Sequence, residues 1–252
     1  MGAAPKPASP KPPSPLAIEP KPQARAPRVT LQKVTVVIQC ASSKTRDAGY
    51  FRALDGRAVV FVADPASAPP REDCLYARPD DAADDGGGTW RDQVRSYDVE
   101  RGLINPFGLR PAYQIYTPAV YRDLVAALGV DRVYVLSAGW GLIRADFLTP
   151  NYDITFSHAG ARHTRRRLTD RYLDFRQMSA ATPGPVMFLG GQSYVATFAA
   201  LTADLTVERI ILHAGEWMAP PPGCRAVKYK TTARTNWHYL CARDILAGRL
   251  KM

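Results

Sequence analysis

The chain reads as a single α/β domain, a mostly parallel central sheet flanked by helices, behind a disordered N-terminal tail. Three observations predict this. Short apolar, β-branched runs (Val34 to Gln39, Ala58 to Val62, Val133 to Leu136, Val186 to Leu189, Arg209 to Leu212) alternate with stretches of helical periodicity. Most of these runs stop abruptly in small residues or glycines, as strand ends do in a sheet whose ligands bind beyond the carboxyl edge. The 252 residues suit one domain plus a tail.

Composition narrows the class. Hydrophobic residues make up 46% of the chain, enough for a real core. No apolar run approaches the roughly 20 residues needed to cross a bilayer, and the N-terminus lacks the apolar segment of a secretory signal, so no membrane partner and a cytoplasmic location are expected. The four cysteines (Cys40, Cys74, Cys224, Cys241) are scattered without a CxxC pair, which argues against a zinc site and a disulfide framework. No metal and no cofactor are expected. The net charge of +10 points to a polyanionic partner. A basic protein from an arginine-rich proteome is the competing explanation.

Taken in order, residues 1–27 hold many prolines, Lys6, Lys11 and Lys21, and almost no large apolar side chains. Such a segment cannot bury enough surface to offset its conformational entropy. The domain occupies 28–252. Its first strand runs into Cys40-Ala-Ser-Ser-Lys-Thr45, small hydroxyl residues and a lysine that could cradle a ligand, without P-loop spacing. After the second strand, residues 64–92 read as an acidic, flexible insertion with Asp80, Asp81, Asp84 and Asp85 and three consecutive glycines. Thr89 to Gly102 predicts a short helix with Trp90 and Val94 on one face, and Asn105 to Gly108 a turn. Thr117 and Pro118 predict the cap and first turn of a helix to Leu128, with Val120, Leu124 and Leu128 as its buried stripe.

The strand from Val133 ends in Ser137-Ala-Gly-Trp-Gly141, followed by Pro150-Asn-Tyr-Asp153. Glycines there permit positive φ or a close backbone approach to a ligand, and the flanking Asn and Asp make this the expected site. An ordinary turn with structural glycines is the alternative. Residues 157–180 carry Arg162, Arg165, Arg166 and Arg167 with Leu168, Tyr172 and Phe175 at helical spacing, predicting a helix with a basic outer ridge. Val186 to Leu189 leads into Gly190-Gly191-Gln192 and a helix to about Ala203, a turn suited to an anion or a polar ring edge. The next strand ends at His213, and Arg225 to Tyr229 is the last one. Lys228, Lys230 and Arg234 then precede Asn236-Trp-His-Tyr239, which opens a terminal helix to Leu246. Interleaved basic and aromatic residues can grip phosphates and stack on bases.

Two motifs now combine. Leu136-Ser-Ala-Gly-Trp-Gly-Leu-Ile with Leu148-Thr-Pro-Asn-Tyr-Asp153, and Cys40 to Thr45 behind the first strand, resemble the YaaA-like superfamily. The resemblance spans roughly residues 34–245 and is carried by those two motifs. The acidic insertion is not typical of the group. Members include a DNA-binding peroxide-stress protein and components of pathways that modify DNA bases. The resemblance implies nucleic-acid work, with Ser43, Lys44, Ser137, Gly141, Tyr152 and Asp153 near one pocket.

The reaction has to come from the residues. The leading expectation is a DNA N-glycosylase that flips a modified base and leaves an abasic site. Asp153 would be its carboxylate, with Lys44, His213 and Asn151 as further catalytic candidates. Gln39, Asn151 or Gln192 would read the base edge, and Tyr152 or Trp140 would stack on it. Cys40, Ser43, Ser137, Gly141 and Gly191 would complete the binding surface. Arg162, Arg165, Arg166, Arg167, Lys228, Lys230 and Arg234 would hold the DNA backbone. An enzyme converting a base substituent in place through Cys40 and a non-catalytic DNA-binding stress protein are the alternatives. A role against foreign, modified DNA is an expectation without a residue-level basis. The oligomeric state is not legible in the sequence.

Overall fold

The computed structural model describes residues 1–2, 34–84, 86–100, 104–216 and 219–250. Nearly all of the expected tail lies outside them. The first strand, β1 (Thr35–Gln39), and the second, β2 (Ala58–Val62), fall on the two apolar runs, and the side chains of Val36, Val37 and Ile38 are fully buried. Next comes β3 (Cys74–Ala77), within the stretch read as a loop. Helix α1 (Trp90–Val99) starts at Thr89, whose hydroxyl accepts the Asp92 amide while the Asp92 carboxylate accepts the Thr89 amide, a capping box. The pair β4 (Arg110–Pro111) and α2 (Ala112–Ile115) leads to α3 (Val120–Leu128). This helix begins later than its sequence suggests, with Ala119 at the N-cap. Thr117 lies two residues before that cap, where its amide donates to Ser43 O and its carbonyl accepts from Arg122.

Strand β5 (Val133–Ser137) is buried throughout and turns back into β6 (Gly141–Arg144). Short strands β7 (Leu148–Thr149), β8 (Tyr152–Asp153) and β9 (Phe175–Arg176) follow. Then come β10 (Val186–Leu189), α4 (Val195–Leu201), β11 (Arg209–His213), β12 (Cys224–Lys228) and α5 (Trp237–Leu246).

The main sheet has seven strands in the order β12-β11-β10-β1-β5-β6-β9. All its pairings are parallel except β5 with β6. A smaller sheet, β3-β2-β8, is parallel, and β4 pairs antiparallel with β7. From β1 the chain moves to β5 on one side, then returns to β10 on the other and continues outward to β11 and β12. With crossovers of the usual right hand, reversal of direction places successive helices on opposite faces. Accordingly α3 packs on α5 and β5, α5 on β10, and α4 on β6. The reversal also leaves a crevice beyond the carboxyl ends of β1 and β10, the place where doubly wound sheets bind ligands.

Two sequence expectations change here. No α-helix forms in residues 157–180, which contain a 3₁₀ turn (Arg162–Thr164) and β9. Of the expected inner-face residues, Phe175 is buried and Tyr172 half-buried, but Leu168 is 61% exposed, as is nearby Leu173 at 68%, whereas Arg166 is buried. Arg166 forms a bidentate pair with Asp174 at 2.6 and 2.8 Å and lies over the Tyr172 ring, so the charge goes inward and the leucines outward. Of the acidic residues within 64–92, Asp80, Asp81 and Asp84 are likewise built into the fold, and Asp85 lies outside the described residues. Asp80 pairs with the buried Arg91 and accepts the Leu173 amide, Asp81 accepts the Arg78 amide, and Asp84 accepts the Leu54 amide.

Candidate functional site

The crevice at the β1/β10 reversal is an open cleft of about 870 Å³. Gln39 and Cys40 at the end of β1 form one wall and Gly191, Ser193 and Tyr194 beyond β10 the other. Gln39 Oε1 accepts the Gly191 amide at 2.6 Å, fixing the two strand ends together. Lys44 reaches the cleft from the loop after β1, which is pinned by the Thr45 amide donating to Ile115 O. Asp153 reaches it from the end of β8, where register with Val62 holds the residue at the rim. The chain from Ile154 to Thr164 closes the far side.

The electrostatics centre on Cys40 and Lys44. Cys40 Sγ lies 3.3 Å from the Tyr194 hydroxyl. Tyr116, Tyr121, Tyr152, Tyr194 and Tyr239 gather around this sulfur. Burial, chiefly, raises all five phenols above the ordinary tyrosine range, so they remain hydroxyl groups at neutral pH. The Lys44 amine is held below the usual lysine range, because burial disfavours its charge more than Cys40 and Asp153 support it. Its Nζ sits 4.2 Å from the centre of the Tyr152 ring.

The fold thus brings Gln39, Cys40, Lys44, Asp153 and Gly191 together around one space. Asn151 and Tyr152 border a smaller hollow of about 320 Å³, shared with Lys44 and Asp153, and the Asn151 amide donates to the Tyr50 hydroxyl at 2.6 Å. Gln192, His213 and Arg234 border another hollow of about 440 Å³ beyond β10 and β11, joined to the cleft at Gly191. His213 Nδ1 lies 3.0 Å from Gly215 O. Ser43 is exposed and contributes its carbonyl to Thr117, and it is Ser42 that faces the cleft.

The glycine-rich stretch is not a ligand loop, contrary to expectation. Ala138, Gly139 and Trp140 are the turn of the β5–β6 hairpin, and buried arginines satisfy their carbonyls. Arg91 donates to Trp140 O at 3.1 Å and Gly139 O at 3.0 Å, and Arg166 to Ala138 O at 2.8 Å. Ser137 Oγ accepts the Gly139 and Trp140 amides and donates to the Tyr152 hydroxyl at 2.8 Å, which in turn bonds Tyr116. Gly141 has φ +89°, and a Cβ there would fall 2.6 Å from the Asp174 Cβ. Its conformation serves the approach of β9. Ser137, Trp140 and Tyr152 are buried, so none of them offers a surface to a flipped base. Together they form the wall behind the site.

Of the basic residues, Arg162, Arg165 and Arg167 surround a hollow of about 310 Å³, and Arg165 and Arg167 also border one that touches the cleft at Phe156, His158 and Ser193. Arg166 is committed to Asp174. Lys228 pairs with Glu216 at 3.1 Å, and Lys230 is exposed. Tyr194, Ser193 and Thr155 were not legible as site residues, because nothing in their local sequence points to the cleft that they meet through folding, and Asn236 was legible only within the basic and aromatic stretch that opens α5. No protein-family model, no curated protein and no solved structure matches this chain.

Proposed function

We propose that the cleft is the base pocket of a DNA N-glycosylase that excises a modified base. The observation that carries this reading is the presentation of a rim carboxylate, Asp153, and a poorly hydrated amine, Lys44, to one cleft of about 870 Å³. That volume lies in the range of small-ligand sites and accommodates a flipped nucleobase. The resemblance of Cys40 to Thr45 and Leu136 to Asp153 to the YaaA-like superfamily supports work on DNA bases. Trp140 and Tyr152, being buried, do not stack on the base. Tyr239, partly exposed on the cleft, takes that role, and the free end of the Gln39 amide reads the base edge.

Unstacking the base costs a few kcal/mol, recovered from contacts in the pocket and from Arg165 and Arg167 against flanking phosphates. As the bond from C1′ to the base nitrogen breaks, positive charge grows on the sugar. The Asp153 carboxylate stabilises that charge or activates the water that adds to C1′. The base leaves with the bonding electron pair and is protonated on departure. Incubation with genomic DNAs bearing normal or hypermodified bases, followed by mass spectrometry of released bases and detection of alkali-labile sites, tests the reading. Asp153→Asn is expected to lower base release by about 10²–10⁴-fold while sparing DNA binding, and unchanged release in that variant removes the assignment.

One observation favours a second reading. The Cys40 sulfur lines the cleft beside Lys44, placed to act as a nucleophile in conversion of a base substituent without excision. Cys40→Ser separates the two, since excision is expected to survive it and in-place conversion to stop. DNA that is bound but chemically unchanged supports a non-catalytic binding protein instead.

A further inference from the structure

We propose that Lys44 is an amine nucleophile, so that this protein forms an imine with C1′ of the sugar and cleaves the strand at abasic sites. This activity rests on the base-excision reading above, with the Lys44 amine taking the place of water as the nucleophile at C1′. Three independent features converge on the residue.

The first is position. Lys44 borders both the main cleft and the hollow beside it, as does Asp153, so one amine and one carboxylate share the same space. The second is lack of commitment. Among the described residues Nζ makes no hydrogen bond and no ion pair, and its close contact is the face of the Tyr152 ring, 4.2 Å away. The third is residue choice. The chain has 33 basic residues, of which eight are lysines, and Lys44 is the sole lysine between Lys33 and Lys228. Everywhere else in that interval arginine supplies positive charge. Arginine stays protonated and cannot attack carbon, whereas a lysine shielded from water can lose its proton. Burial of Lys44 favours that neutral form.

The step balances without an external oxidant or reductant. The Nζ lone pair bonds to C1′ as the C1′–N glycosidic bond breaks. The base departs with the bonding pair and takes one amine proton. The C1′–O4′ bond then opens as nitrogen forms the C=N bond, and O4′ takes a proton from solvent, leaving a protonated imine. Transfer of a C2′ proton to the Asp153 carboxylate expels the 3′ phosphate with the electrons of its C3′–O bond. Water hydrolyses the imine and regenerates the amine. A pre-formed abasic site enters the same sequence through its aldehyde, with loss of water.

That entry makes a test independent of the unidentified base. The full-length protein is incubated with a duplex and a single-stranded oligonucleotide carrying one abasic site, in the presence of sodium cyanoborohydride, and covalent adduct is read on a denaturing gel. Wild type is expected to give an adduct that maps by peptide mass spectrometry to Lys44. Lys44→Arg, which keeps the charge but cannot form the imine, is expected to lose it. Absence of adduct with wild type overturns the proposal, as does an adduct that persists in Lys44→Arg or maps to another amine. Base release from modified DNA is measured in parallel. Released base without adduct leaves the excision reading intact and removes only the lysine chemistry, whereas adduct without base release retains the lysine chemistry and removes excision.

Discussion

His238 is buried on α5, 4% exposed, with no hydrogen-bond partner for Nε2 among the described residues. Burial pushes its pKa down to about 4 from 6.5. The sign follows directly. Between these values the unfolded chain binds the proton and the folded one does not, so stability present above pH 6.5 is lost as the pH falls toward about 4. At about 1.4 kcal/mol per unit, roughly 2 kcal/mol of this loss has developed by pH 5. Urea denaturation at pH 7.5 and pH 5 is expected to show wild type losing more stability over that interval than His238→Leu, by about this amount. An equal loss in both proteins would assign the acid sensitivity to other groups. Gly141 illustrates a different demand at the same scale. Its positive φ and the nearness of Asp174 and Phe175 are invisible in the sequence, where it looks like a residue for admitting a ligand.

The β5–β6 hairpin is the element on which the site rests. Three successive turn carbonyls point at Arg91 and Arg166, and a buried arginine satisfies several such acceptors at once because its planar fork carries five donors. Asp80 and Asp174 in turn neutralise the two guanidinium groups. Removing one member leaves a buried charge or carbonyl without a partner, which is costlier than the pair itself is stabilising. Arg91→Ala is therefore expected to lower stability by about 3–5 kcal/mol, read as a reduced urea midpoint. A loss below about 1 kcal/mol would mean the pair behaves like an exposed one. The hairpin also explains why the acidic stretch could not be understood in isolation. Asp80 looks like a loop residue until Arg91, eleven positions later, turns inward to meet it.

At the scale of the molecule, charge is divided unevenly. Half of the net charge of +10 lies in residues 1–33, where Lys6, Lys11, Lys21, Arg25, Arg28 and Lys33 face only Glu19. In the remainder many arginines are neutralised locally, as in Arg57–Asp55, Arg71–Asp73, Arg176–Asp204 and Arg225–Glu208. If DNA is the polyanion, as proposed above, long-range attraction to it is expected to depend strongly on the N-terminal segment, and base release is not. Deleting residues 1–33 is expected to make log K less steep against log salt, by about 0.9 for each phosphate that the segment neutralises, while base release at saturating protein stays the same. An unchanged slope would assign the phosphate binding to the Arg162–Arg167 region and the C-terminal segment instead.

The sequence by itself determined the α/β class and the principal strands, which fall within a residue or so of β1, β2, β5, β10, β11 and β12. Apolar, β-branched runs have few other ways to bury themselves, and strand period and end signals are local. Helices α1 and α5 were legible from local pattern too, α1 from Trp90 and Val94 on one face and α5 from the Asn236 boundary. What only the tertiary structure decided was which polar residues serve structure and which face open space. Arg166 and Arg167 are neighbours of the same type, yet one is locked to Asp174 and the other is exposed. Asp153 and Lys44 are more than a hundred residues apart and come together because β8 and the loop after β1, from different sheets, open onto the same cleft. Ser137 and Gly141 look like a ligand loop until the hairpin closes on two arginines. Burial and pairing are set by the meeting of distant segments, and no local pattern encodes which partner arrives.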